Sequence, residues 1–355
     1  MENIAEEYKE ALNLFHEGQL DEAAEIFLEL NKKNKEIGSY CLYQLARISN
    51  MKGDPGTAYS LYLNLLSKAP DIASKLFHDS HKHKEYVFKG LDSEREKERD
   101  DCPLCGGQGK SHWCYLMFEA AGFYHYDVNP IRMWLYCEEC HHLFARHFVS
   151  PVSPKTSMNA PSKSKWMPKP TFFGYYSEIL KNIKKYTDGM SLLEIGIGGC
   201  ECLLAAREIG YEPILGIDVV ESIVENAKDS YGLNAETADF NKYKSDCKWD
   251  VIIMGDVLEH VDDPVEAIQK AESLLADDGC LWISTPNFES AFSAVAGHED
   301  PMRREQSHLN YFSRKSLYNL LAKFNLVPVE YAISRHYNGS MEIIAVKESK
   351  KPTTF

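Results

Sequence analysis

Leu192-Leu-Glu-Ile-Gly-Ile-Gly-Gly-Cys200 decides the fold of this chain. An apolar strand over 191–195 breaks into a glycine turn, and a helix starts near Glu201. Gly196 and Gly198 allow the tight turn and let the backbone approach a ligand closely. A second strand, 213–217, ends in Asp218. That acid lies about 20 residues beyond the glycine turn, where it can accept hydrogen bonds from a ribose. Working outward, helix and strand patterns alternate. Helices are predicted over 172–186, 201–209, 221–231 and 264–275, and strands over 235–238, 250–254 and 280–284. The alternation predicts a Rossmann-like, doubly wound parallel sheet with helices on both faces. Its ligand belongs at the carboxyl ends of the strands, where the Gly196 turn, Asp218 and Asp239 fall.

The 355 residues allow two or three domains. With 44% hydrophobic and 26% charged residues the composition is globular. No apolar run reaches the ~18 residues of a membrane span. The N-terminus MENIAEEYKEAL is acidic and helical in pattern, unlike an export signal. A cytoplasmic protein that engages no membrane is expected. A net charge of −14 argues against broad contact with nucleic acid.

Residues 1–75 repeat internally: Gly18, Ala23 and Phe27 recur 35 positions later as Gly53, Ala58 and Tyr62. Gly18-Gln-Leu-Asp-Glu-Ala-Ala-Glu-Ile-Phe27 resembles the tetratricopeptide helix pair, with Pro70 where that repeat ends. Two repeats bury too little to stand alone. A helix over 71–89 is expected to cap them within a unit of residues 1–90, or they dock on another domain. Two readings stand side by side: a surface for a protein partner, and a packing or self-association appendage. The charge run 92–101 reads as a solvated helix end or linker.

Residues 91–149 carry Cys102-Pro-Leu-Cys105 and Cys137-Glu-Glu-Cys140. Each pair sets two thiolates at adjacent corners of a tetrahedral zinc site, and four thiolates close the site, so a structural zinc is expected. In a chain without an export signal such pairs bind metal more often than they form disulfides. Cys102-x-x-Cys105-x-Gly-x-Gly also resembles the zinc repeat of a chaperone family, but occurs once. His141 and His142 follow the second pair and are alternative ligands. Cys114 and the aromatics Trp113, Tyr115, Phe118, Phe123, Tyr124 and Tyr126 read as the core of this small domain. Residues 150–170, rich in proline, serine and lysine, read as a linker or lid.

Over residues 171–347 the chain resembles the class I S-adenosylmethionine-dependent methyltransferases. The resemblance rests on Leu193–Gly198, Gly216-Ile-Asp218, Ala238-Asp239-Phe240, Asp250–Pro264 and Leu274–Asn287. Leu258-Glu-His-Val261 and His308-Leu-Asn-Tyr-Phe-Ser313 resemble the ubiquinone-biosynthesis branch. The resemblance implies S-adenosylmethionine as cofactor. Glu194, Gly196, Gly198 and Gly199 would hold its methionyl end, and Asp218 its ribose. Asp239 and Phe240 would hold its adenine, with Gly255 and Asp256 lining the floor near the sulfonium. Cys200 departs from the family, where many members have glycine. Read without the family, Asp218 is an ordinary helix cap. A nicotinamide fold fits poorly, because Glu201 stands where its fingerprint needs glycine or alanine.

An imidazole can take a proton near neutral pH, which makes His260 the first candidate base. Glu259 is expected to orient it or replace it, and His308 and Tyr311 are second candidates. Four-cysteine knuckles ahead of such a domain resemble the C-methyltransferases of nucleotide-linked deoxysugars. This chain departs from them in its N-terminal repeats and its short C-terminal end. The expected acceptor is a small molecule, sugar or glycan, methylated on oxygen or carbon. A protein methyltransferase whose repeats dock the target, and a non-catalytic scaffold, are the alternatives.

Overall fold

The computed structural model describes residues 2–33, 35–69, 96–117, 129–149, 167–305 and 307–350. Pro70, the expected helix over 71–89, Phe118, Phe123, Tyr124, Tyr126 and nearly all of the 150–170 segment lie outside them.

The chain begins with four helices, α1 Glu2–His16, α2 Leu20–Lys33, α3 Lys35–Met51 and α4 Pro55–Lys68. The repeat in sequence is also one in geometry. Gly18 and Gly53 both turn the chain at positive φ, 80° and 79°. Ala23 and Ala58 are fully buried, with Phe27 and Tyr62 beside them. A small residue there lets paired helices close on one another. Asp54 caps α4 by accepting from the Thr57 amide, and Pro55 at the first helical position gives up no needed donor.

The helices dock on the cysteine-bearing segment. This segment contains β1 Glu96–Glu98, β2 Lys110–Leu116, β3 Ile131–Cys137, β4 His142–Ala145 and β5 His147–Val149. Asn50 of α3 both donates to the Cys114 carbonyl (2.6 Å) and accepts from its amide (3.0 Å), standing in for a strand at the β2 edge. Tyr59 stacks on His147. Part of the charge run is not the linker or helix end expected of it. Glu96–Glu98 pairs antiparallel with β5, because backbone pairing on an exposed ribbon needs no apolar side chains.

The C-terminal half opens with α5 Pro170–Ile183, β6 Leu192–Ile195, α6 Glu201–Ile209, β7 Ile214–Asp218, α7 Glu221–Tyr231, β8 Ala235–Thr237 and β9 Trp249–Gly255. There follow α8 Pro264–Leu274, β10 Leu275–Pro286, α9 Ala291–Ala296, β11 Asn310–Tyr311, α10 Arg314–Ala322, β12 Leu326–Ile333 and β13 Ser340–Lys347. Helices α6 and α7 occupy the predicted residues. Seven strands form one sheet in the order β12-β13-β10-β9-β6-β7-β8. The wholly parallel sheet expected from the sequence is corrected: β13 runs antiparallel to both β10 and β12. The reason is the short connection at 334–339, which can join a hairpin but cannot make the crossover that parallel neighbours need. The result is a Rossmann-like α/β fold with a mixed sheet.

A second sheet, β11-β4-β3-β2, joins the two halves of the chain, because its edge strand β11 comes from residues 310–311. Among the described residues no helix is long and apolar enough to cross a membrane.

Candidate active site

Strand neighbours diverge between β6 and β9, with β7 on one side and β10 on the other. A crevice opens at the carboxyl ends of strands at such a switch point.

One wall is the glycine turn. The Gly196 amide bonds the Ile217 carbonyl at 2.7 Å. Gly196 and Gly198 take φ of +75° and +45°, and a Cβ on Gly196 would lie 2.9 Å from Val257 Cγ2. Gly216 is also required, since its Cβ would meet Ile197 Cγ2 at 2.6 Å where the turn folds back over β7. Cys200 starts α6 in the left-handed region, φ 69°, with its thiol buried. The departure from glycine therefore falls on a backbone that suits glycine better. Burial pushes its thiol up to about 12.

Glu194 is 4% exposed, and its Oε2 has no hydrogen-bond partner among the described residues. Burial, then the nearby Glu201 and Asp218 carboxylates, push its carboxyl well above the usual range. A buried polar atom without a partner is costly, so this oxygen suits a bound cation or N–H donor. Asp218 accepts from the Ile197 amide (3.1 Å) and the Val220 amide (2.9 Å). Burial raises its carboxyl, and the amide donors of Val220 and Ile197 work against that shift. It braces the glycine turn and does not cap α7, whose N-cap is Val220.

Asp239 ends the next strand, half exposed, accepting from the Asn241 amide (3.1 Å) and Lys242 Nζ (2.6 Å). Phe240 beside it is buried. At the floor, a Cβ on Gly255 would stand 3.3 Å from the Trp282 ring and 3.5 Å from Tyr176 Oη. Asp256 has φ 53°. It accepts from Ser284 Oγ (3.1 Å) and lies 3.9 Å from His336 Nδ1. Burial raises its carboxyl to about 7, against the Ser284 bond.

The two histidines lie beyond the end of β9 and just before β11, against one another. Nδ1 of His260 lies 3.1 Å from the Ser307 carbonyl, and Nδ1 of His308 lies 2.9 Å from the Met302 carbonyl. A carbonyl only accepts, so both Nδ1 atoms carry the proton and both Nε2 atoms keep a lone pair. The rings meet edge-on with centroids 4.8 Å apart. Burial lowers His260, and burial followed by His260 lowers His308 well below the ordinary range. Both imidazoles are thus neutral near pH 7.

Glu259 is 1% exposed and accepts from Thr285 Oγ1 at 3.0 Å. Burial, then Asp256, raise its carboxyl well above normal. Donor atoms of Glu259, His260 and His308 lie within 4.8 Å of one another, a set able to hold a divalent cation. Tyr311 is buried in β11, and its hydroxyl donates to Asp300 at 2.6 Å.

The sequence reading passed over Tyr176, His336 and Tyr337. The run Phe172-Phe-Gly-Tyr-Tyr176 opening α5 and the turn Arg335-His-Tyr-Asn-Gly339 were the available signals. His336 packs against Phe172 and Tyr337, each with centroids 4.1 Å away.

Away from the crevice, the four sulfurs of Cys102, Cys105, Cys137 and Cys140 lie within 4.8 Å of one another. Cys102–Cys140 and Cys105–Cys137 are 3.5 and 3.4 Å apart. Sulfurs around a tetrahedral zinc sit about 3.8 Å apart, so the donor set fits zinc with little movement. The two knuckles share one shape. The residue after each, Gly106 and His141, has positive φ, 76° and 59°, and its amide bonds the first cysteine carbonyl at 2.9 Å. Among the described residues His142 does not join the four-sulfur group. It is fully buried, 3.3 Å from Asn310 Oδ1 and tilted against Phe312.

Residues 172–331 match the family model described as a methyltransferase domain. A ubiquinone biosynthesis O-methyltransferase of Actinobacillus pleuropneumoniae is 34% identical over 110 residues, 28% of this chain and 47% of that protein. One from Coxiella burnetii is 29% identical over 119 residues, 31% of this chain and 50% of that protein. The chain thus spans about half the length of the curated relatives it matches. Among solved structures, a Synechocystis magnesium protoporphyrin IX methyltransferase with bound S-adenosylhomocysteine is similar at TM-score 0.42 and 16% identity, over 49% of this chain and 83% of that one. The Bradyrhizobium japonicum N-methyltransferase NodS is similar at TM-score 0.42 and 15% identity, over 54% of this chain and 95% of that one. Residues 172–331 thus carry a methyltransferase domain.

Proposed function

We propose that this chain transfers a methyl group from S-adenosylmethionine to a small-molecule, sugar or glycan acceptor, with His260 taking the acceptor's proton. The observation that carries the reading is the facing pair of neutral imidazoles, each latched through Nδ1 to a main-chain carbonyl. The cofactor supplies an activated methyl group and a neutral thioether leaving group. The protein's work is then alignment and proton removal.

Glu194 offers its unpaired oxygen to the cofactor's ammonium group, and the glycine turn brings backbone against the methionyl chain. Asp218 would hold the ribose, Asp239 and Phe240 the adenine, and Asp256 would line the floor near the sulfonium. His260 accepts the proton at Nε2, His308 holds the facing ring, and Glu259 shapes the wall from beneath. Depressed imidazole pKa values keep the base neutral, so the acid limb of the rate profile is expected below the ordinary histidine value of about 6.5.

The four-cysteine segment holds a structural zinc in this reading. The tetratricopeptide-like helices act as a packing appendage, supported by the Asn50 and Tyr59 contacts, and the protein works in the cytoplasm.

Calorimetry with S-adenosylmethionine is the first test, and no binding at high micromolar concentration overturns the reading. Release of S-adenosylhomocysteine against a panel of phenols, sugars and amines then identifies the acceptor class. His260→Ala should cost about 100-fold or more in rate; a loss of tenfold or less makes His260 structural. Assays with chelator and with added Mg2+ separate the two uses of the histidine wall. Loss of activity restored by the cation makes Nε2 a metal ligand in place of the proton acceptor.

A further inference from the structure

His308 is not held by its own half of the molecule alone. Its carbonyl accepts from Arg132 Nη1 at 2.7 Å. The next carbonyl, of Leu309, accepts from the Ala145 amide (2.9 Å) and from Arg99 Nη2 (3.0 Å). Asn310 and Tyr311 then add to the β4 edge. Upstream, the Arg303 carbonyl accepts from Trp134 Nε1 at 3.0 Å. Every one of these donors lies on the cysteine-bearing segment. Arg99 shortly precedes Cys102, Arg132 and Trp134 lie on the strand that ends in Cys137, and Ala145 follows Cys140.

Arg132 is 6% exposed, with its guanidinium 5.6 Å from the Trp134 ring. Burial and then Arg99 lower its pKa, to about 10, against the attraction of Glu305. It remains a cation at neutral pH. A guanidinium in such a place is held by fixed acceptors, and in turn fixes them.

We propose that Arg132 is a positioning residue that carries the geometry of the four-cysteine cluster to His308 and so sets the contact between the two imidazoles. The mechanical route is short: Cys137 anchors one end of β3, Arg132 lies in its body, and the His308 carbonyl rests on the arginine. The cysteine module is then a part of the histidine wall and not a separate appendage. The inference rests on the reading of His260 and His308 as the proton-handling pair, but its test is independent of turnover.

The experiment uses the full chain with labelled histidines, comparing Arg132→Met and Arg132→Lys with the unaltered protein. Two quantities are read: the through-space NMR contact between the His260 and His308 rings, and the affinity for S-adenosylmethionine. Arg132→Met is expected to abolish the ring contact and Arg132→Lys to retain it. Cofactor affinity should stay within about twofold in both, as for separate sites. A ring contact that survives Arg132→Met overturns the inference, as does one lost equally in Arg132→Lys. If Arg132→Met does not fold, the same contact is read in Arg132→Gln, whose shorter, uncharged side chain cannot reach the His308 carbonyl as the guanidinium does; an unchanged contact there overturns the inference. Failure of the unaltered chain to bind S-adenosylmethionine would instead refute the functional reading and leave the ring contact to decide this one.

Discussion

On the glycine wall of the crevice, Glu194 keeps a buried oxygen with no partner among the described residues, and Asp218 is raised despite two amide donors. On the histidine wall, both Nδ1 atoms are latched to carbonyls and Glu259 is bonded by Thr285. The first wall is incomplete without a ligand and the second is finished before one arrives. A ligand that completes the first wall gains affinity from groups that destabilise the free protein. A base that must be oriented and neutral has to be preorganised, because reorganisation would be added to the barrier. Under the proposed function, the difference teaches that cofactor binding and proton removal are served by opposite local strategies.

The largest effect is expected away from both walls. Cys137→Ser should abolish stoichiometric zinc measured by atomic emission and destabilise the chain by several kcal/mol, about the scale of losing a structural metal ligand set. Retained zinc with an unchanged melting temperature would detach the histidine wall from the cluster. Next, Glu194→Gln should weaken S-adenosylmethionine binding by about 10- to 100-fold, the scale of a charged hydrogen bond. The same change should raise the melting temperature of the free protein, because a buried, repelled carboxyl is removed. A variant that loses both affinity and stability would break the contrast between the walls. Gly196→Ala comes third. Its Cβ would meet Val257 at 2.9 Å on a positive φ, costing roughly 1–2 kcal/mol of strain, with a matching loss of cofactor affinity.

A pH series sharpens the same comparison. Asp256 sits near 7 in the fold and about 3.9 unfolded. Between those values the native state binds more protons, so stability falls as pH rises through that window. Asp256→Asn should reduce that slope in denaturant titrations from pH 4 to 7. The histidines act from the other side. Their folded pKa values are depressed, so their contribution is lost as pH falls through the unfolded value of about 6.5. The smallest effect belongs to Asp239→Asn. The carboxylate is half exposed and already engaged with Lys242, so cofactor affinity should fall by less than about tenfold.

Legibility in the sequence followed the range of the contacts. Helices α6 and α7 and the glycine turn were readable because each is specified within about ten neighbouring residues. The cysteine knuckles were equally readable, since a Cys-x-x-Cys turn carries its own geometry. Residues 334–339 were harder. His336 and Tyr337 gain a site only because a hairpin folds them back toward Asp256, 80 positions earlier in the chain. The bond from the Tyr311 hydroxyl to Asp300 depends on the chain placing 300 and 311 together in the fold. The pairing of β11 with β4 left no local signal, being two residues long.

By itself, then, the sequence determined the α/β half, its glycine turn with Glu194 and Asp218, and the four-cysteine cluster, because short-range steric and ligand-spacing rules dictate them. Only the tertiary structure decided the antiparallel β13, the docking of the helical repeats on β2 through Asn50, and the latching of His260 and His308. It alone also tied His308 to Arg132, 176 positions away. These depend on backbone carbonyls and buried cations meeting across long stretches of chain. Every residue carries a carbonyl, so the sequence gives no sign of which one will be the partner.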